Sequence, residues 1–392
     1  MGLDGEIFGQ LAETVERFVR ERLIPNEAAV AESDRMPPEL VQEMRDLGLF
    51  GLSIPEAYGG LGLTVEEEVR IIMLLGHTSP AFRSVFGTNN GIGSQGIVID
   101  GTEEQKRKYL PRLASGDIIS SFALTEPDAG SDAASVRTTA RRDGNGYVLN
   151  GTKRFITNAP QAGLFTVMAR TDPANKGAGG ISAFLVEADT PGLRLGKPEK
   201  KMGQQGAHVC DVIFEDCRVP ADALIGLEEG QGFKTAMKIL DRGRLTISGM
   251  FVGNAERLIR DCLRYALDRK QFGKPVAEFQ LVQAMLADCE TECYAAKSMV
   301  LDAARRKDAG EPVTKQAAIC KYFCSEMVGR VADRAVQIHG GAGYVADYGI
   351  ERFYRDVRLY RLYEGTSQIQ QLVIAREMLR EAAASDHVGR SI

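Results

Sequence analysis

The chain has no long apolar run, no block of one-signed charge and no basic, apolar leader, and each absence removes a class of function. Its apolar runs are too short and too interrupted to span a bilayer. The 48 basic and 53 acidic residues are interleaved and leave a formal charge of -5, so there is no electrostatic footprint for nucleic acid or an anionic membrane. The opening MGLDGEIFGQ carries acids early, which argues against a secretory signal, and Glu6 breaks the myristoylation pattern. A cytoplasmic location is expected. Seven cysteines, an odd number without such a leader, argue against a disulfide framework. Cys289 with Cys293 and Cys320 with Cys324 have helical i, i+4 spacing; packing between two helices is favoured over a four-thiolate site, and no metal is expected. Solenoid repeats and low-complexity tracts are also lacking.

The 392 residues, 44% hydrophobic and 26% charged, suit a soluble globular protein of two or three packed units. Three zones differ in period. Residues 1–118 are helical: GEIFGQLAETVERFVRERL has three- and four-residue apolar spacing, PPELVQEMRDLGLFG opens on prolines, and EEQKRKYLPRLASG repeats the pattern with a proline interruption. Residues 119–228 carry short runs such as YVLNGTKRFITN, LFTVMAR, ISAFLVEA and DVIFEDCRV between DGNG, KGAGG and TPG clusters, which predicts an antiparallel β unit, a small barrel or sandwich. Residues 229–392 return to long amphipathic segments, beginning with FKTAMKIL and NAERLIRDCLRYALDR, and predict an antiparallel four-helix bundle. The fold class is thus α+β, in the order α, β, α.

Several stretches invite chemistry. GIGSQG matches a dinucleotide fingerprint through Gly91, Gly93 and Gly96, but no strand precedes it and Asp100 follows too soon to be the ribose-binding acid; close helix packing fits better. SFALTEPDAGSD offers backbone N–H groups and hydroxyls to a polar ligand edge, or is an ordinary turn after a strand. KRFITN places Phe155 and Thr157 on one side of a strand, which suits a flat heteroaromatic ligand and also any half-buried strand. In DRKQFGKP, Arg269 and Lys270 suit a phosphate or a solvated helix end. QIHGGAGY brings His339 and two glycines to a helix end, for a ligand or a cap. Finally, RLYEGTSQIQ sets Glu364 just before a helix expected to begin at Thr366 or Ser367, where negative charge is favoured for structural reasons alone.

Taken together and in order, FALTEPDAGSD, KRFITN, DRKQFGKP, QIHGGAGY and YEGTSQIQ resemble the acyl-CoA dehydrogenases over essentially the whole chain. The resemblance implies a non-covalent FAD between the β domain and the C-terminal helices. Matched positions would put Phe122, Leu124, Thr125, Gly130 and Ser131 along the flavin and its ribityl chain, with Phe155, Ile156 and Thr157 beside the ring system. Arg269, Phe272, Gln280, Gln337, Ile338, Gly340 and Gly341 would reach the adenosine diphosphate part of a neighbouring subunit's FAD, and Thr366 and Gln368 would also touch FAD. A cofactor shared in this way implies a homotetramer, a dimer of dimers.

Ser131, Asp241, Arg244 and Gly365 match positions along the acyl-CoA, and Glu364 matches the base that removes the thioester α-proton while the β-hydrogen leaves as hydride to the flavin. Some members carry the base within the DRGR-type motif, where this chain has Gly243. Arg83 resembles the arginine that holds the distal carboxylate in glutaryl-CoA dehydrogenase, although it also suits a structural role. The implied product is a trans-2-enoyl-CoA, with electrons passed to an electron-transfer flavoprotein. Acyl-CoA oxidases and non-catalytic relatives that bind nucleic acid or protein share the fold, so fold alone does not choose among them. The acidic balance and the Glu364 match speak against nucleic-acid binding.

Overall fold

A computed structural model describes residues 2–389. Seven α-helices come first: α1 (Gly5–Phe18), α2 (Ile24–Ser33), α3 (Pro38–Asp46), α4 (Val65–Leu75), α5 (Pro80–Asn90), α6 (Gln95–Asp100) and α7 (Glu103–Ala114). Local chemistry fixes several of their starts. Thr64 and Glu67 form a reciprocal capping box on α4, and Thr102 and Gln105 do the same on α7. The proline interruption expected in α7 does not occur. Pro111 is helical, and both it and Arg107, whose carbonyl loses its i+4 donor, are exposed, so the carbonyl is not sealed from solvent.

The middle segment holds β1 (Ser120–Ala123), β2 (Thr139–Asp143), β3 (Gly146–Thr157), β4 (Leu164–Arg170), β5 (Ile181–Glu187), β6 (Leu193–Leu195) and β7 (Val209–Pro220) in one sheet, ordered β1-β4-β2-β3-β7-β6 with β5 against β4. The purely antiparallel arrangement expected from the turn clusters is corrected: β1 pairs with β4 in parallel, Ser120 opposite Leu164, and β2 meets β4 in parallel at Thr139 and Arg170. The excursion over residues 124–138 returns the chain to β2 in the direction of β1, and β4 then runs parallel to both, which hairpin signals cannot reveal. The sheet is curled and mixed.

Helix α8 (Gly232–Asp268) follows, then the hairpin strands β8 (Lys270–Gln271) and β9 (Lys274–Pro275), and then α9 (Gln280–Asp308), α10 (Thr314–His339), α11 (Gly341–Tyr344), α12 (Ile350–Val357) and α13 (Ser367–Gly389). The two helical segments expected at the start of this region are one helix of 37 residues. Glycines in DRGRLTISGMFVG obscure its period, and some of them serve packing. A Cβ at Gly253 would lie 2.7 Å from the Gly76 Cα and would overlap the Met73 carbonyl, so α8 and the end of α4 touch backbone to backbone.

The N-terminal and C-terminal helices share one apolar core that includes Val69, Phe251, Cys293 and Val328, while the sheet has its own around Phe165, Phe184 and Phe214. All seven cysteines are buried and unbridged, with Cys289, Cys293, Cys320 and Cys324 inside the helical core as the packing reading expected.

One ion pair anchors the excursion after β1. Lys153 on β3, fully buried, donates to Glu126 Oε1 at 2.7 Å and to the Leu124 carbonyl at 3.0 Å. Glu126 also accepts the backbone N–H groups of Arg137 and Thr138 at 2.6 and 2.9 Å. Burial opposes its ionisation, but Lys153 and these donors outweigh that and hold its carboxyl below the usual range. Both ends of the excursion are thereby tied to one side chain.

Two outcomes follow in stability measurements. Gly253→Ala, which inserts a methyl into a backbone contact, destabilises the protein by about 1–3 kcal/mol in denaturant titration. Lys153→Met strands the Glu126 carboxylate in the interior, and the expected loss is about 3–5 kcal/mol, with a matching fall in Tm.

Candidate active site

The helical core and the sheet enclose a cavity of about 660 Å³. One wall comes from the sheet segment. Phe122, Leu124 and Thr125 line it, as do Gly130 and Ser131 from the excursion, and Phe155, Ile156 and Thr157 at the end of β3. Regular alternation was expected to align Phe155 with Thr157. Both do face the cavity, but through a bulge: the β3–β7 register shifts between Lys153 and Ile156, and Phe155 takes φ +57. Its ring is left 55% exposed. Gly130 has open space where a side chain would stand. An exposed aromatic side chain in the same cavity as Thr125, Ser131 and Thr157 suits a flat heteroaromatic group carrying a polyol chain.

The opposite wall is helical. Arg83 on α5, Asp241, Gly243 and Arg244 on α8, and the turn of Tyr363, Glu364 and Gly365 ahead of α13 all line the cavity. Glu364 Oε2 is buried and has no hydrogen-bond partner. Burial pushes its pKa above the ordinary carboxyl value, against the pull of Arg83, Lys321 and Arg244. A Cβ at Gly243 would lie 3.0 Å from Oε2, so the residue at the alternative base position gives this carboxylate its room.

The Glu364 turn is strained and heavily supported. Glu364 has φ +52 and Gly365 φ +91, the first uncommon for a residue with a side chain. The Glu364 carbonyl accepts Arg244 Nε at 3.3 Å and Gln370 Nε2 at 3.1 Å. The Gly365 carbonyl accepts Lys321 Nζ at 2.6 Å and Gln370 Nε2 at 3.1 Å. Among the described residues the Glu364 backbone N–H has no acceptor. Arg244 is thus committed to the turn and to Asp241, Nη1 to Oδ1 at 2.9 Å, while Asp241 Oδ2 accepts the Thr314 hydroxyl at 2.6 Å.

Arg83 differs from Arg244. It makes no hydrogen bond or ion pair among the described residues, and its buried Nε is without an acceptor.

The remaining predicted residues lie elsewhere. Thr366 caps α13 by accepting the Ile369 N–H at 3.3 Å, and Gln368 is exposed; neither lines the cavity. Arg269, Phe272, Gln280, Gln337, Gly340 and Gly341 are exposed at the far end of α8 and α10, where Tyr265 stacks on His339 at 4.4 Å. Phe272 is 93% exposed at the hairpin tip. Ile338 is turned into the core, which leaves its backbone alone for any ligand. Gly91 and Gly93 of GIGSQG lie in the turn between α5 and α6 and Gly96 lies within α6; helix precedes the segment, and of the three only Gly91 reaches the cavity.

Sequence reasoning passed over Lys153, Glu126, Lys321 and Gln370. Lys321 had a signal: on α10 it falls on the stripe of Ala317, Cys324, Ser325 and Val328, where a charged residue is out of place.

Comparison with known proteins accounts for this arrangement. Residues 8–117, 121–217 and 230–379 match the N-terminal, middle and C-terminal domains of acyl-CoA dehydrogenase. An acryloyl-CoA reductase (NADH) of Anaerotignum propionicum is 44% identical over 372 residues, covering 94% of each chain. A chain in the structure of the electron transferring flavoprotein of Acidaminococcus fermentans superposes with a TM-score of 0.93 at 38% identity, covering 97% of this chain and 99% of its own. Butyryl-CoA dehydrogenase from Megasphaera elsdenii gives 0.92 at 36%, covering 97% and 99%. The chain belongs to the acyl-CoA dehydrogenase family of FAD-dependent oxidoreductases.

Proposed function

We propose that the chain oxidises an acyl-CoA thioester to the trans-2-enoyl-CoA, with Glu364 as the base that takes the α-proton. The observation that carries this reading is the buried, unpartnered Oε2 at the cavity wall. A carboxylate without a donor of its own keeps its lone pair for a substrate proton, and its raised pKa makes it a stronger base. The free Glu364 N–H suits the thioester oxygen, whose polarisation acidifies the α-carbon. Phe155, Thr125 and Thr157 on the facing wall would hold FAD, which would supply the hydride acceptor. In reverse, a protonated Glu364 would return a proton to the α-carbon of an enoyl thioester, the direction in the name of the acryloyl-CoA reductase. An electron-transfer flavoprotein fits as the electron partner, and the exposed Phe272, Leu281, Leu372 and Leu379 fit a homotetramer.

A second reading concerns the acyl chain. Arg83 is a cavity-lining guanidinium with no anion of its own among the described residues, which favours a substrate tail ending in a carboxylate over a plain aliphatic one.

Three outcomes test these readings. In anaerobic mixing with butyryl- and glutaryl-CoA, Glu364→Gln retains FAD but bleaches it about 10²–10⁴-fold more slowly; bleaching at the wild-type rate overturns the assignment. In the wild type, kcat/KM for dehydrogenation falls as pH drops through the raised Glu364 pKa, because only the carboxylate accepts the proton. At a pH well above the acid limb, where Glu364 is ionised with or without the neighbouring guanidinium, Arg83→Ala lowers kcat/KM for glutaryl-CoA by about 10–100-fold and spares butyryl-CoA; equal losses there overturn the carboxylate reading.

A further inference from the structure

Lys321 lies on α10, more than 40 positions before Glu364, in a region that none of the five recognised motifs includes. Its side chain is fully buried, and its one hydrogen bond among the described residues goes to the Gly365 carbonyl at 2.6 Å. A buried ammonium ordinarily has a carboxylate partner. This one has none. Glu326, the acid on its own helix, is taken by the Ser367 hydroxyl at 2.6 Å and by Arg361 at 3.3 Å. Arg244, on α8, and Glu364 are the other charged groups that bear on it, and Arg83, on α5, joins them around Glu364.

The ammonium therefore acts on a backbone carbonyl in the two-residue turn whose positive φ values aim the Glu364 carboxylate and N–H at the cavity. Gln370 donates to the same carbonyl, and Arg244 and Gln370 donate to the preceding one. Three side chains from α8, α10 and α13 thus hold two consecutive carbonyls.

We infer that Lys321 is a positioning residue for the reaction: by donating to the Gly365 carbonyl it holds the Glu364 turn in its active conformation, and its charge favours the ionised base. The inference rests on the proposed role of Glu364. Lys321 touches neither substrate nor cofactor, since it does not line the cavity.

The test uses the FAD-loaded full chain and the pH dependence of anaerobic flavin bleaching by butyryl-CoA. Lys321→Met, which removes donor and charge, slows bleaching at saturating substrate at least tenfold with KM little changed. It also moves the acid limb to higher pH by about 1 unit, because a lost cation disfavours the carboxylate. Lys321→Gln keeps a neutral donor; it recovers part of the rate and retains the displaced limb. Either variant with wild-type rate and wild-type limb overturns the inference, and if Lys321→Met does not fold, Lys321→Gln decides alone. Glu364→Gln separates the two readings. If it abolishes bleaching while the Lys321 variants behave as wild type, the inference alone fails; if it bleaches normally, the role of Glu364 fails first.

Discussion

A carboxyl group taken out of water without a hydrogen-bond donor is costly to ionise, and in this protein that cost is set by the surroundings of Glu364. Burial raises its proton affinity, while Arg83, Lys321 and Arg244 pull the other way without forming an ion pair with it. Had any of the three closed into direct contact, the charge would be satisfied and the lone pair spent. Had all three been absent, burial would raise its proton affinity further. The rest of the site maintains the intermediate condition: Arg244 is turned aside by Asp241 and the Glu364 carbonyl, Lys321 by the Gly365 carbonyl, and Gly243 leaves the carboxylate its space.

Two fully buried lysines share this economy on opposite sides of the cavity. Lys153 reaches the Leu124 carbonyl and Glu126 under the sheet wall, and Lys321 reaches Gly365 under the helical wall. Each spends its charge on shaping backbone in segments that regular secondary structure does not hold. Each charge stands where an apolar residue would be expected, and each donates to a backbone carbonyl outside regular secondary structure.

The order of helical and sheet segments was legible because periods of 3.6 and 2 are written in apolar spacing, and the cavity residues were legible because five motifs share one register with a known family. Strand direction was not: the parallel pairing of Ser120 with Leu164 depends on the excursion over residues 124–138, which carries no local code. The unity of α8 was hidden by glycines such as Gly253, whose backbone contact with the end of α4 is a tertiary fact. Phe155 was placed at the cavity for an incomplete reason, since alternation alone does not foresee a bulge. Lys321 stood in plain view on an apolar stripe, but what it holds belongs to a turn far along the chain.

The length of α8 has a consequence for stoichiometry. Arg244, a third of the way along α8, and Arg269, its C-terminal cap, are 25 positions apart, about 38 Å along the axis at 1.5 Å per residue. That span exceeds the length of a single dinucleotide. Any such molecule that meets both positions must meet them on two different copies of the chain, and its occupancy then obeys mass action in protein as well as in ligand. Dilution and cofactor loss would become the same event, observed from two sides.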